Sequence, residues 1–229
     1  VKEVIIIGNK PHGSPHLDNI IDSFKENYRC GLGLPGRNNG TKYDKLGMCC
    51  HVYANLVTSR LERSKFLNTY KSNFDEEFLG NYYDIFPELQ SKYKKIYHAV
   101  YRTVIYNKQL AEWGCPYRFS KTPRTGSTVI FENLLKQNKV FIAFFSLIYD
   151  DVWISCNGKL VANHGQGQCH CKSDETKILM WLHENQYIDA TLCMLEDNEI
   201  PTLNCRDIEP SEYILNMLKE EHGKVVTIK

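Results

Sequence analysis

Apolar residues fall along this chain in two rhythms. Val4-Ile5-Ile6-Ile7 is an unbroken β-branched run stopped by Gly8-Asn9, as expected of a strand buried on both faces of a parallel sheet. VFIAFFSLI at 140–148 has the same character. NYRCGLGL predicts a second strand and MCCHVYANLV a third that ends near Asn55, with PGRNNGTKYDKLG between them as a loop. Helical spacing marks LDNIIDSF, FPELQSKYKKIYHAVYRTVIY, TVIFENLL, KSDETKILMWLHENQ and SEYILNMLKEEHG. In the fourth of these Ser173 is the expected N-cap, acidic residues fill the first turn, and Ile178, Leu179 and Leu182 form the apolar stripe. The last is expected to stop at Gly223.

Strands alternating with helices predict an α/β fold: three layers, Rossmann-like, with a mostly parallel sheet flanked by helices. Residues 1–229 are read as a single domain. From about 60 to 115 the composition shifts to Tyr, Lys, Phe, Asp and Asn, which predicts a helical insertion. A helix packed on the sheet is the plainer reading of its pattern; the expectation adopted here is a cleft wall on the acceptor side, with aromatic rings available to sugars.

Composition narrows the functional classes. With 229 residues the chain can bury one substantial core, and a net charge of +1 gives no basic excess for tracking a phosphate backbone, so no nucleic-acid partner is expected. Nine cysteines are an odd number and include Cys49-Cys50 and Cys169-x-Cys171, neighbours that rarely bridge each other, which points to a reducing, cytoplasmic setting. No apolar run approaches the length of a membrane span, and VKEVIII reads as a strand, not a signal peptide. A start at Val1 is compatible with a piece of a longer chain.

Three stretches carry candidate chemistry. Gly8 and Asn9 follow the first strand, where open α/β sheets bind ligands. PRTGS at 123–127 precedes a helix, so backbone N–H groups, the Thr125 and Ser127 hydroxyls and Arg124 can hold an anion; ordinary capping is the competing reading. NHGQGQCHCKSDE at 163–175 crowds cysteines around His170. Cys169-x-Cys171 lacks the spacing of a zinc knuckle or a redox pair, and no metal site is assigned. That leaves His170, placed just before a helix and able to act as a base near neutral pH, with Glu175 behind it.

Taken in order, Gly8-Asn9, Ile21-Asp22, Arg29, Pro123-Arg-Thr-Gly126 and His170-x4-Glu175 resemble the motifs of the sialyltransferases of animals, and His170-Cys-Lys172 resembles the catalytic segment of the related bacterial family. The resemblance runs over about residues 4–195. It implies a metal-independent, inverting glycosyltransferase that needs no cofactor and moves a sugar from a nucleotide-sugar donor to a glycan or glycolipid hydroxyl. His170 would be the general base, and Glu175 would orient it or the helix start. Gly8, Asn9, Arg29 and Asn55 would serve the nucleotide, and Arg124, Thr125, Gly126, Ser127 and Tyr149 the phosphate, with Tyr117 and Arg118 as further candidates. Gly31 stands near where both families tend to have Asn, so a nucleoside-diphosphate deoxysugar such as UDP-rhamnose suits the donor about as well as a CMP-sialic acid-like sugar. The alternative is a non-catalytic nucleotide- or glycan-binding domain of a multifunctional protein.

Overall fold

A computed structural model describes residues 1–8, 17–30, 40–42, 44–47, 92–145, 147, 152–154, 160–162, 171–196, 202–205, 208–223 and 226–229. Five parallel strands form the central sheet: β1 (Glu3–Ile7), β2 (Glu26–Cys30), β3 (Lys45–Gly47), β4 (Lys139–Ala143) and, further along the chain, β7 (Ile188–Asp189). Their order is β3-β2-β1-β4-β7. The chain therefore builds outward from β1 in one direction, then starts again on its other side with β4. Beside them lie a small antiparallel pair, β5 (Val152–Ile154) with β6 (Leu160–Ala162), and a parallel pair, β8 (Thr202–Leu203) with β9 (Thr227–Ile228).

Alternation along β1 explains its unbroken apolar run. Val4 and Ile6 belong to one hydrophobic cluster and Ile5 and Ile7 to the other. On the first face the sheet meets α2 (Lys92–Glu112), α3 (Thr125–Leu135) and α4 (Lys172–Glu184) through Tyr106, Leu110, Val129, Ile130, Phe131, Ile178 and Leu182. On the second it meets α1 (Asp18–Ser23) and α5 (Glu212–His222) through Leu17, Ile21, Ile214 and Leu218, with a 3-10 turn at Thr191–Met194. The result is the expected three-layer, Rossmann-like α/β arrangement. No helix among the described residues is long and apolar enough to cross a membrane.

Several boundaries differ from the expectation. The third strand begins inside the stretch read as a loop: Asp44 N–H donates to Asn27 O, and Asn27 N–H donates to the Asp44 carboxylate, which locks Lys45 opposite Tyr28. Residues 48–57, where that strand was expected, lie outside the described residues. β4 stops at Ala143 because Phe144 takes a left-handed backbone, φ 58°, and so the apolar run continues past the strand's end. α4 is preceded by Cys171 as N-cap, leaving Ser173 inside the first turn. α5 ends as expected at Gly223, whose φ of 54° needs glycine's freedom, and Ser211 caps its start by accepting from Ile214 N–H. β7 is too short to leave a periodic trace in the sequence.

Of the 60–115 insertion, the described part is α2, and it is seated on the sheet. Its Arg102 and Tyr106 both reach Glu132 on α3: Arg102 as an ion pair and the Tyr106 hydroxyl as a 2.6 Å hydrogen bond. Glu132 is buried, so this carboxylate needs both partners. Glu132→Leu is expected to cost about 2–4 kcal/mol by urea denaturation, because a buried hydroxyl and a guanidinium lose their common acceptor. Glu132→Gln keeps the acceptor and is expected to cost about half as much.

Candidate functional site

The sheet's order reverses between β1 and β4, and in open α/β sheets the crevice beyond such a pair of strands is where ligands sit. Gly8, directly after β1, donates its N–H to Ala143 O at 2.8 Å. A Cβ at this position would run into the carbonyl oxygen of Phe144, so the two strand ends can close up only because residue 8 is glycine. The left-handed Phe144 then divides the two aromatics. Phe144 packs into the core on the α1/α5 side, while Phe145 packs on the α3 side with its ring against Gly126, where any Cβ would overlap it. Gly8, Phe144-Phe145 and Gly126 thus form one continuous floor from the end of β1 to the start of α3.

The start of α3 is capped from another helix. Its N-cap residue, Arg124, makes no side-chain cap of its own. Instead Glu175, in the first turn of α4, accepts from Arg124 N–H through Oε1 at 2.8 Å and from the Ser127 hydroxyl through Oε2 at 2.9 Å. Asp174 beside it accepts from the backbone N–H of Ser120 at 2.9 Å and from its hydroxyl. Two successive carboxylates therefore strap the 120–127 stretch onto α4. They fix the first turn of α3, whose Thr125, Gly126 and Ser127 N–H groups no carbonyl of their own helix can serve, next to Phe145 just past the end of β4.

The two acids differ in charge preference. Glu175 is 8% exposed, and burial holds its pKa above the ordinary carboxyl value against the opposing pull of Arg124 and Ser127; Asp174 adds a further upward push. At Asp174 burial also pushes upward, but the Ser120 hydrogen bonds, Cys171 and Lys177 prevail and hold it lower than usual.

Among the residues singled out from sequence, Arg124 and Ser127 meet Glu175 directly, Thr125 and Gly126 stand between them in the same turn, and Gly8 and Gly126 lie on either side of the Phe144-Phe145 step. Arg29 makes its described side-chain contacts with the 40–42 segment. It is buried on β2, and its guanidinium donates to Gly40 O at 2.8 Å and to Lys42 O at 3.0 Å. Asp22 grips the same loop by accepting from Thr41 and Lys42 N–H, so Arg29 and Asp22 shape the 40–42 segment from two sides. Arg118 donates to Cys115 O and Tyr117 O within its own turn, and Tyr117 is exposed. Asn9, Asn55, Tyr149 and His170 lie outside the described residues.

Cys30, Cys115, Cys171, Cys193 and Cys205 are free thiols. Burial pushes the pKa of Cys30 up to about 12, which suits a packing role and not a nucleophile. No group of three metal-ligating side chains comes together among the described residues. Sequence reasoning missed Phe144, Phe145 and Asp174. Nothing in the VFIAFFSLI run marks where the strand ends, and a carboxylate that holds a loop remote in the sequence, as Asp174 holds Ser120, has no local signature.

Helix propensity and packing pull in opposite directions at Gly126. Gly126→Ala is expected to destabilise the protein by about 1–3 kcal/mol in thermal or urea unfolding, because Phe145 must move. In a Phe145→Ala background the same change is expected to become neutral or stabilising by up to about 1 kcal/mol.

No protein-family model matches this chain, and no curated protein matches it. Among solved structures, the sialyltransferase CstII from Campylobacter jejuni, in complex with the substrate analogue CMP-3FNeuAc, is similar over 84% of this chain and 82% of that one, at 14% identity and a TM-score of 0.43. That is a loose likeness in chain path and assigns no role to any residue here.

Proposed function

We propose that the chain is an inverting, metal-independent glycosyltransferase that moves a sugar from a nucleotide-sugar donor to a glycan hydroxyl. The observation that carries this reading is the pair of hydrogen bonds from Arg124 and Ser127 to Glu175. They join the Pro-x-Thr-Gly turn to the His-x4-Glu segment, two motifs far apart in the chain, beside the strand pair where the sheet reverses.

The proposed chemistry follows from that placement. An acceptor hydroxyl attacks the anomeric carbon while the bond to the donor's phosphate breaks and the phosphate leaves with the electron pair. His170, five residues before Glu175 in sequence, takes the hydroxyl's proton. The leaving phosphate gathers negative charge as it departs, and the N-terminal turn of α3 answers it with backbone N–H groups and the positive end of its dipole. Glu175 fixes that turn and the start of α4 against one another. The donor is a CMP-sialic acid-like sugar or a nucleoside-diphosphate deoxysugar.

The test is thermal stabilisation of the purified chain by cytidine, uridine, guanosine and thymidine nucleotides, with and without EDTA, followed by a transfer assay with the nucleotide that binds. One base is expected to stand out, with stabilisation near 2.7 kcal/mol at about a hundredfold excess over Kd and no effect of EDTA. His170→Ala is expected to keep that binding and lose about 10²–10⁴-fold in transfer. Binding without transfer in the wild type would instead make the chain a nucleotide-binding module, and transfer at the wild-type rate in His170→Ala would remove His170 from the mechanism.

A further inference from the structure

The start of α3 already holds an anion, and that anion belongs to the protein. Glu175 takes the Arg124 N–H and the Ser127 hydroxyl with its two carboxylate oxygens, at 2.8 and 2.9 Å, and is 8% exposed. A phosphate that came to the N–H groups of Thr125, Gly126 and Ser127 would enter the same helical turn. There it would meet a second negative charge with little water between them to screen the repulsion. We propose that Glu175 is a built-in competitor for this cradle, so that the phosphate of a nucleotide sugar occupies it only together with one proton, taken from solvent onto the Glu175 carboxyl. The inference rests on the nucleotide-sugar reading above and concerns how binding at that site is regulated.

The hydrogen-bond geometry permits the exchange without rearrangement. A protonated Glu175 keeps one oxygen to accept from Arg124 N–H. Its new O–H can donate to Ser127 Oγ, whose own hydrogen turns away and becomes available to a phosphate oxygen. Only the charge disappears. Among the described residues, the groups facing Glu175 are the Arg124 guanidinium and Ser127 hydroxyl from the α3 side and Asp174 from its own helix, while Cys171 is turned to Asp174. Burial outweighs Arg124 and already biases Glu175 toward the protonated form, which lowers the cost of taking up the proton when the anion arrives.

The sign of the effect is fixed by linkage. If binding takes up a proton, affinity rises as pH falls and weakens above the free-state pKa of Glu175, by at most about tenfold per pH unit for one proton. Calorimetric titration with a CMP-sugar and a UDP-sugar, in buffers of different ionisation enthalpy between about pH 5.5 and 8, reads both the affinity and the protons taken up. These ligands have no phosphate that titrates in this range, so any proton exchanged belongs to the protein. Uptake approaching one proton per nucleotide at the alkaline end is expected, along with tighter and pH-independent binding by Glu175→Gln, which mimics the neutral carboxyl. His170→Ala is expected to retain the uptake. Should that variant lose it, or should Glu175→Gln keep it, the proton goes elsewhere and the competitor role is overturned. Wild-type binding with flat affinity and no proton exchange overturns the competitor role and leaves the nucleotide reading standing; this result needs no variant to fold. If neither protein binds a nucleotide sugar at any pH, the nucleotide reading falls and takes the inference with it.

Discussion

Because Val4, Ile5, Ile6 and Ile7 are all apolar and all buried, β1 needs a strand on each edge and a layer of helices on each face. Parallel neighbours satisfy its backbone on both sides, β2 through Val4 opposite Glu26 and β4 through Val4 opposite Val140. Parallel strands joined by crossovers lay helices on the sheet, so this one constraint determines the three layers. It also puts the reversal of strand order at β1, and so determines where the crevice opens.

Apolar burial sets the layers, and a few polar groups set the exact placement of what lies above them. Three carboxylates do similar work at different points. Asp22 holds the 40–42 segment together with Arg29, Glu132 draws α2 onto α3, and Glu175 draws α3 onto α4. Each links segments that sequence separation alone would leave independent. Glu132 and Glu175 are buried, and a buried carboxylate without donors is costly, so these two contacts tolerate few alternatives and specify a register that apolar packing would leave loose. At Glu175 the same contact also places a carboxylate at the start of a helix.

Around the Phe144-Phe145 step, glycine enters at two places for a steric reason. Gly8 and Gly126 stand on either side of the Phe144-Phe145 step, one against a carbonyl oxygen and the other against an aromatic ring. The left-handed turn at Phe144 sends successive rings to opposite faces of the sheet, an unusual conformation for a bulky residue. A non-glycine residue held there at the mouth of a crevice is the sort of strain that a surrounding structure must impose.

The periodicity of the sequence determined the class of fold. The β-branched run at Val4 and the helical spacing around Ile178 and Ile214 are local patterns, and local patterns survive being read one segment at a time. It also singled out the 123–127 turn and Glu175, because a helix start and an acidic first turn can each be recognised where they stand. Only the tertiary structure decided that those two belong together, that β3 starts at Lys45, that Phe144 ends β4, and that Arg29 holds a loop. Each of these depends on a partner remote in the chain, and a side chain's remote partner is fixed by how the layers pack, which no local spacing of residues records.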